Sequence, residues 1–125
     1  MTTDKRASRV GLLISPDLFF TSKVTGTAQA LGLRVDSVDD IATATLRLQA
    51  GDIGCVLFDL TTPRVSVAEL LGAMPDSARV PIIAFGSHVN VELLESARAA
   101  GAEVMPRSQF SATLPDILRQ LLAGT

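Results

Sequence analysis

Segment 53–60 constrains the fold more than any other part of the sequence, because it carries no polar residue before Asp59. A continuous apolar run of this length is typical of a central parallel strand that is covered on both faces. Parallel strands need long crossover connections, and these are usually helices. The run therefore predicts an α/β domain with this strand in the middle of its sheet.

Four further segments have the character of strands. Val10–Ile14 is a short aliphatic run and predicts a buried strand. Segment 33–38 is more polar, which predicts a strand at an edge of the sheet. Segments 81–85 and 103–105 complete the set as the fourth and fifth strands.

Apolar residues at helical spacing follow each predicted strand. Gly32, Gly51, Gly101 and Gly124 end the first, second, fourth and fifth of these helical segments, as glycines at helix C-termini commonly do. The apolar stripes are Phe20, Val24, Ala28 and Leu31; Ile41, Ala44 and Leu48; Val67, Leu70, Leu71 and Met74; Leu93, Leu94 and Ala97; and Leu114, Ile117, Leu118, Leu121 and Leu122.

Capping residues and prolines predict where the helices begin. Ser15 caps the first helix, with Pro16 in its first helical position and Asp17 beside the positive end of its dipole. The other predicted starts are Asp39 with Asp40, the capping box of Ser66 with Glu69, Asn90, and Pro115.

Five strands that alternate with five helices predict a parallel sheet with helices on both faces, a three-layer α/β/α sandwich. We expect residues 1–8 to form a flexible tail and residues 9–125 to form one domain, which suits a chain of 125 residues. Ligands bind such sheets at the C-terminal ends of the strands, near the point where the winding reverses. The candidate functional segments are therefore 15–17, 59–63, 86–88 and 106–109.

The composition excludes several classes of function. One Cys and one His exclude a disulfide framework and any metal site built from several Cys or His side chains. The net charge is −2 and the arginines are spread along the chain, so there is no basic stripe for nucleic acid. No apolar run approaches the ~20 residues of a membrane span. Residues 1–9 also lack the pattern of a secretory signal, so we expect a cytoplasmic protein without membrane or nucleic-acid partners.

The segment Phe58-Asp59-Leu60-Thr61-Thr62-Pro63 resembles the phosphoacceptor segment of response-regulator receiver domains, in which an Asp ends the third strand four residues before a Pro. Segment 81–85 is similar to the fourth strand of that family, and 99–102 followed by Phe110 is similar to its last crossover. The resemblance covers nearly the whole chain, from Val10 to Leu122. It implies a flavodoxin-like (CheY-like) fold with strand order 2-1-3-4-5.

The family's chemistry uses an Asp nucleophile, two acids that help to hold Mg²⁺, a Lys after the fifth strand, and a Thr or Ser after the fourth. Asp59 matches the nucleophile, but Ser15 and Pro16 stand where the acid pair should be. Neither of the two lysines, Lys5 and Lys23, can occupy the fifth-strand position. The resemblance therefore implies a degenerate receiver, or pseudo-receiver, whose altered pocket consists of Ser15, Pro16, Asp17, Thr61, Gly86, Ser87, Arg107 and Ser108 around Asp59.

The roles of several residues remain open at this point. Asp59 is either a phosphoacceptor or a strand-end carboxylate with few charged partners, in which case Asp59→Ala should change stability by no more than about 1 kcal/mol. Arg107 either pairs with Asp59 in place of the lost Lys or is a solvated surface residue. Asp17 is most simply a helix-start residue. Cys55 is expected to be an inert core residue, and His88 a loop residue.

Three classes of function compete. The first is a stand-alone, non-enzymatic signalling module that acts through protein contacts without a cofactor. The second is a receiver that is phosphorylated on Asp59 in a phosphorelay, with Mg²⁺ as its cofactor. The third is an enzyme or cofactor binder on the same fold, which is disfavoured because the Thr25-Gly26-Thr27 triplet lies too far after the first strand to form a flavin phosphate loop.

The resemblance also implies a contact surface formed by the fourth helix, fifth strand and fifth helix. Its partner would be a kinase, a phosphotransfer protein, an output protein or a second copy of the chain, with which it would form a homodimer. In this sequence the surface would include Val91, Glu95, Arg98, Glu103 and Arg119.

Overall fold

The computed structural model describes residues 9–76, 79–87 and 90–123. Within these ranges five strands alternate with five α-helices, as the sequence predicts. In chain order they are β1 Val10–Ile14, α1 Leu18–Ala30, β2 Val35–Val38, α2 Ile41–Gln49, β3 Ile53–Asp59, α3 Val67–Ala73, β4 Ile82–Gly86, α4 Val91–Ala100, β5 Glu103–Pro106 and α5 Arg107–Leu122.

The five strands form one parallel sheet in the order β2-β1-β3-β4-β5. The predicted strand order is confirmed, with β3 in the centre and the more polar β2 at an edge. The chain winds from β1 outward to β2 and then returns to β3 on the other side of β1. The C-terminal ends of β1 and β3 therefore flank the point where the winding reverses, which is where such sheets place their sites.

Alternate residues of each strand face opposite sides of the sheet and enter two separate cores. Leu13, Leu57 and Phe85 face α1 and α5, whereas Ile14, Phe58 and Ala84 face α2, α3 and α4. Both cores consist of fully or nearly fully buried aliphatic and aromatic side chains. The sheet is thus covered on both faces, which explains why the β3 segment is apolar throughout.

The predicted start of α1 at Ser15 is wrong, because Asp17 is the N-cap. Its Oδ1 accepts a hydrogen bond of 3.0 Å from the Phe20 N–H, and α1 begins at Leu18. Ser15 Oγ instead accepts a 3.1 Å bond from the Asp17 N–H and donates its own hydrogen across the sheet to Asp59. Asp40, Ser66 and Asn90 cap α2, α3 and α4 as predicted.

The predicted start of the last helix at Pro115 is also wrong, since α5 begins eight residues earlier, at Arg107, and contains Pro115 in its interior. Pro115 removes one backbone donor, which normally disfavours a helix interior. The apolar residues continue at four-residue spacing on both sides of the proline, and all are buried against the sheet. Their burial stabilises the continuous helix despite the proline. These residues are Phe110, Leu114, Leu118 and Leu122.

Smaller differences concern strand ends and one helix stripe. β2 begins two residues later than the predicted 33–38, and β5 extends one residue beyond the predicted 103–105. Leu93 was expected in the core but lies on the exposed side of α4. The predicted tail of residues 1–8, the predicted loop residue His88 and the predicted helix end at Gly124 lie outside the described residues.

Candidate functional site at the C-terminal edge of the sheet

The C-terminal edge of the sheet brings together residues from three widely separated segments. Asp59 is the last residue of β3, Ser15 directly follows β1, and Arg107 directly follows β5. Sheet register places Asp59 beside Phe85 of β4 and Gly86 beside Pro106 of β5. Arg107 is therefore two strands away from Asp59, a gap that its long side chain spans.

The Asp59 carboxylate is fully buried, with 0% of the residue exposed, and both of its oxygens are occupied by protein donors. Oδ1 accepts hydrogen bonds from the Thr61 N–H at 2.9 Å and from Thr61 Oγ1 at 2.7 Å. Oδ2 accepts from Ser15 Oγ at 2.7 Å and from Arg107 Nη2 at 2.9 Å. An ionised carboxylate offers about four lone-pair positions, so these four bonds saturate it.

Arg107 resolves the alternative that the sequence leaves open, because it pairs with Asp59 rather than extending into solvent. Its Nη1 also lies 3.4 Å from Asp17 Oδ2, so one guanidinium bridges two carboxylates. The guanidinium carbon lies 4.6 Å from the centre of the Phe20 ring and 5.6 Å from that of Phe85. The planar group thus combines ion pairing with cation–π contacts, which a lysine ammonium could not reproduce in the same geometry.

The finding on Arg107 overturns the expectation that Asp59 has few charged partners. A buried carboxylate with a guanidinium at 2.9 Å is a partly buried ion pair, and removal of one member leaves the other members of the network without their bonds. The prediction that Asp59→Ala changes stability by no more than about 1 kcal/mol assumed a carboxylate with few charged partners, and the ion pair with Arg107 shows that this assumption is wrong.

The remaining pocket residues predicted from sequence are near this edge but have smaller roles. Pro16 is exposed between Ser15 and the Asp17 cap, and Ser108 is exposed in the first turn of α5. Gly86 ends β4, where an added Cβ would lie 3.4 Å from the Leu60 side chain. Ser87 follows it, and its carbonyl accepts a 3.1 Å bond from the Asn90 N–H.

Two features of the site are missing from the sequence prediction. Thr62 is buried, and its Oγ1 donates to the Asp59 carbonyl at 2.7 Å, which closes the turn after β3. Three phenylalanine rings, Phe20, Phe85 and Phe110, form a cluster beneath Arg107, with the Phe85 and Phe110 rings stacked at 4.2 Å. All five phenylalanines lie within three residues of a predicted pocket segment, so their positions in the sequence do not single out these three rings.

The residues at this edge do not fit a Mg²⁺ site of the kind that the receiver resemblance implies. Mg²⁺ is held by carboxylate oxygens and water in near-octahedral geometry. Asp17 and Asp59 supply the carboxylates around Arg107, and their oxygens already accept bonds from Phe20, Arg107, Thr61 and Ser15. Among residues 9–76, 79–87 and 90–123, no group of three or more His, Cys, Asp or Glu side chains could hold a metal ion.

Cys55 is buried in the middle of β3, as expected from its place in the apolar run. Burial raises the pKa of its thiol to about 12, because the thiolate would lose its hydration. The thiol is therefore protonated at neutral pH and unsuited to nucleophilic chemistry.

The residues of the predicted contact surface lie at the β5 edge of the sheet. Val91 is exposed at the start of α4, and Glu103 is exposed on β5. Arg98 pairs with Glu95 on α4, while Arg119 pairs with Asp116 at 3.4 Å on α5. Each of these ion pairs joins residues of one helix, so the charged groups remain accessible from outside.

In the part of the chain that the structure describes, no helix has the length and apolar character needed to cross a membrane.

No protein-family model and no curated protein matches this sequence. Solved structures do match it. The receiver domain of a sensor histidine kinase from Pseudomonas aeruginosa PAO1, solved with a magnesium ion in its active-site cleft, is 22% identical, and the match covers 94% of this chain and 99% of that one with a TM-score of 0.75. The phosphorylated cyanobacterial phytochrome response regulator RcpA is 15% identical over 95% of this chain and 97% of its own, with a TM-score of 0.77.

The receiver domain of NtrX from Brucella abortus is 18% identical over 92% of this chain and 99% of its own, with a TM-score of 0.73. Identities this low establish similarity of fold, and the strand order, the crossover pattern and the coverage all agree with it. The chain has the fold of response-regulator receiver domains.

Proposed function

We propose that this protein is a receiver-like signalling module that acts through protein–protein contacts, without Mg²⁺-dependent phosphorylation of Asp59 and without enzymatic activity of its own. The observation that carries the proposal is the saturation of the Asp59 carboxylate by Thr61, Ser15 and Arg107. A nucleophilic carboxylate needs a free oxygen, and here both oxygens are committed to protein donors.

Charge at the site supports the same proposal. Phosphoryl transfer relies on cations that neutralise the charge on the transferred group. At this edge the cation is Arg107, and its charge is already balanced by Asp59 and Asp17. An acyl phosphate on Asp59 would disrupt its 2.9 Å bond with Arg107, and within the described residues no second cation contacts Asp59.

The contact surface that we propose is formed by α4, β5 and α5, with Val91, Glu95, Arg98, Glu103 and Arg119 as its outer residues. The partner would be a kinase, a phosphotransfer protein, an output protein or a second copy of this chain. The exposed arginines on α4 and α5 suit electrostatic recognition, since charges at the rim of an interface guide association and specificity.

Charge reversal tests the surface. Arg98→Glu and Arg119→Glu should weaken self-association in sedimentation velocity, or capture of a partner in a pull-down, while leaving circular dichroism unchanged. Lys23→Glu is the matched control because Lys23 is exposed on α1, a helix that carries none of the proposed surface residues, and the substitution changes the charge equally. Equal weakening by Lys23→Glu would contradict the proposed surface.

Arg47, an arginine on α2 outside the proposed surface, would be less suitable as a control for charge reversal. It lies on α2 but binds Asp36 at 2.8 Å and Asp52 at 3.5 Å, so its reversal would disturb the fold locally.

The second candidate function is phosphorylation of Asp59, which is favoured by the position of this residue at the end of β3 beside the winding reversal. Intact-mass measurement after incubation with a small phosphodonor and Mg²⁺ separates the two candidates. We expect no added phosphoryl group on the wild type, and a gain that disappears in Asp59→Asn would establish the second function.

A Mg²⁺ titration followed by amide chemical shifts provides an independent test. We expect no saturable shifts at millimolar Mg²⁺, because two engaged carboxylates replace the three acids of a receiver site. Saturable shifts clustered at Asp17, Asp59 and Thr61 would contradict this expectation.

A further inference from the structure

Arg107 joins the charged part of the site to the aromatic part. On one side its guanidinium bonds to Asp59, and on the other it lies over the rings of Phe20 and Phe85. These two rings and that of Phe110 form the aromatic cluster, in which Phe85 and Phe110 are fully buried. A single side chain therefore contacts the start of α1, the end of β3, and β4, while belonging to α5.

The two carboxylates hold Arg107 unequally. Asp59 is buried and bonds at 2.9 Å, whereas the Asp17 contact is 3.4 Å long and its side chain is 40% exposed. Charge-assisted hydrogen bonds are strongest when they are short and shielded from water. The position of the guanidinium over the rings therefore depends mainly on the negative charge of Asp59.

We propose that Arg107 couples the charge of Asp59 to the packing of α1 and α5 over the aromatic cluster. While Asp59 is ionised, Arg107 stays over the rings and ties the first turns of α1 and α5 to the sheet. When that charge is removed, the guanidinium, 34% exposed already, moves into water and uncovers the outer edge of the cluster.

The neighbourhood of Phe20 indicates what this release would do to the surface. Leu18 and Phe19, in the first turn of α1, are 80% and 92% exposed. Phe20 follows them and is only 7% exposed, with Arg107 above its ring. Loss of the Asp59 charge would therefore enlarge an apolar surface on α1. It would leave α3 and α4 unaffected, because the hydrogen bonds and ring contacts of Arg107 within the described residues are made to Asp17, Phe20, Asp59 and Phe85.

Asp59→Asn tests the coupling, since it removes the charge and keeps the size of the side chain. Amide hydrogen exchange at residues 20–24 and 110–114 should accelerate roughly tenfold, as the loss of one charge-assisted bond implies, and residues 91–100 should not change. Binding of a hydrophobic fluorescent dye should rise in parallel. Asp36→Asn is the matched control, because Asp36 also accepts bonds from two arginines but lies on β2, away from the rings.

The route through Arg107 has its own test. In an Arg107→Met background, Asp59→Asn should add no further acceleration at residues 20–24 and 110–114. Arg107→Lys, with Asp59 intact, should accelerate the same amides by a smaller factor because it keeps the charge but loses the planar contact with the rings. Arg119→Met, on the exposed side of the same helix, should have no such effect.

Three results would overturn the proposal: unchanged exchange in α1 and α5 of Asp59→Asn, equal acceleration in α4, or additive effects of Asp59→Asn and Arg107→Met. If Asp59→Asn does not fold, unchanged amide exchange at residues 20–24 and 110–114 in Arg107→Lys would equally overturn the proposal. The measurements need no partner, so they succeed or fail independently of the contact surface proposed above.

Discussion

Two clusters in this domain join arginines to carboxylates, and they differ in almost everything else. The site cluster consists of Arg107, Asp17 and Asp59 at the C-terminal edge of the sheet. The strand-edge cluster consists of Arg34, Asp36, Arg47 and Asp52 around β2, with Arg34 and Asp36 paired through two bonds of 2.9 and 3.0 Å. The central carboxylate of the site cluster, Asp59, has no exposed surface. In the strand-edge cluster the shared carboxylate, Asp36, is 24% exposed and its partner Arg34 is 71% exposed.

The comparison shows that ion-pair distance alone does not identify a site. The bonds of the strand-edge cluster are as short as those of the site cluster, but water screens them and its members are near neighbours around one sheet edge. The site cluster joins segments 48 and 90 residues apart, and its buried member is also saturated by hydroxyl and amide donors. The strand-edge cluster stabilises β2 at the edge of the sheet. Its charged side chains also disfavour pairing of this edge strand with another chain.

Leu57→Ala provides a reference for the stability changes in both clusters and should have the largest effect on stability. Leu57 lies in β3 two residues before Asp59, and its side chain is fully buried in the α1–α5 core. Removal of a buried leucine side chain costs about 2–5 kcal/mol. Urea denaturation measures the loss. A value below the effect of Asp59→Ala would show that the charged network contributes more than the core beneath it.

Asp59→Ala should have the second-largest effect and lower the free energy of unfolding by about 2–3 kcal/mol, because it leaves Arg107, Ser15 and Thr61 without their common acceptor. The partial exposure of Arg107 allows its charge to rehydrate, which keeps the loss below that of a fully buried pair. A double-mutant cycle of Asp59→Ala with Arg107→Ala should give a larger coupling energy than a cycle of Asp36→Ala with Arg47→Ala. Equal coupling energies in the two cycles would remove the distinction between the clusters.

Asp36→Ala should destabilise the protein by at most about 1 kcal/mol, since partly exposed pairs contribute little. The hydrogen bond from Arg34, assisted by the bond from Arg47, holds the pKa of Asp36 below its ordinary value of 3.8. A carboxyl group whose pKa is lowered by folding stabilises the folded state above its unfolded pKa, and this contribution is lost as the pH falls through the folded pKa.

The wild type should therefore exceed Asp36→Ala in stability at neutral pH, and the difference should shrink below pH 3.8. Denaturant titrations across that range measure it. A difference that grows on acidification would have the opposite sign and would contradict the assignment of the pKa shift to this cluster.

The fold was predictable because it depends on local patterns that repeat along the chain. The buried run in β3, the polar β2, the caps at Asp40, Ser66 and Asn90, and the helix ends at Gly32, Gly51 and Gly101 each depend on only a few neighbouring residues. The failure at Pro115 has the opposite cause. A local rule disfavours proline inside a helix, but burial of Phe110 and Leu114 against the sheet, a tertiary effect, outweighs it.

The site was predictable in its position but not in its connections. Asp59 follows from the end of an apolar strand, and the absence of a suitably placed lysine follows from counting. The contact between Arg107 and Asp59 depends on three features. These are the register of β3 with β4 and of β4 with β5, the start of α5 at Arg107, and a side-chain conformation that carries the guanidinium over the Phe85 ring. None of these is encoded within a short segment, so the sequence could only leave both alternatives open.

Arg64→Gly should have the smallest effect and the opposite sign. Arg64 follows Asp59 by five residues, yet the described residues offer it no ion pair, so it is an arginine near the site without the connections of Arg107. Its φ of 63° is the only positive value at a non-glycine residue within the described ranges, and a side chain makes this conformation unfavourable.

Glycine relieves that strain but gains freedom in the unfolded chain, so the net change should be a stabilisation of between zero and about 1 kcal/mol. Denaturation of Arg64→Gly beside Arg107→Ala measures the contrast directly. Because Arg107 bridges two carboxylates and covers two rings, its loss should destabilise the protein while the loss of Arg64 does not. Destabilisation by Arg64→Gly would mean that this arginine also supports the edge, and the special position of Arg107 would then need another explanation.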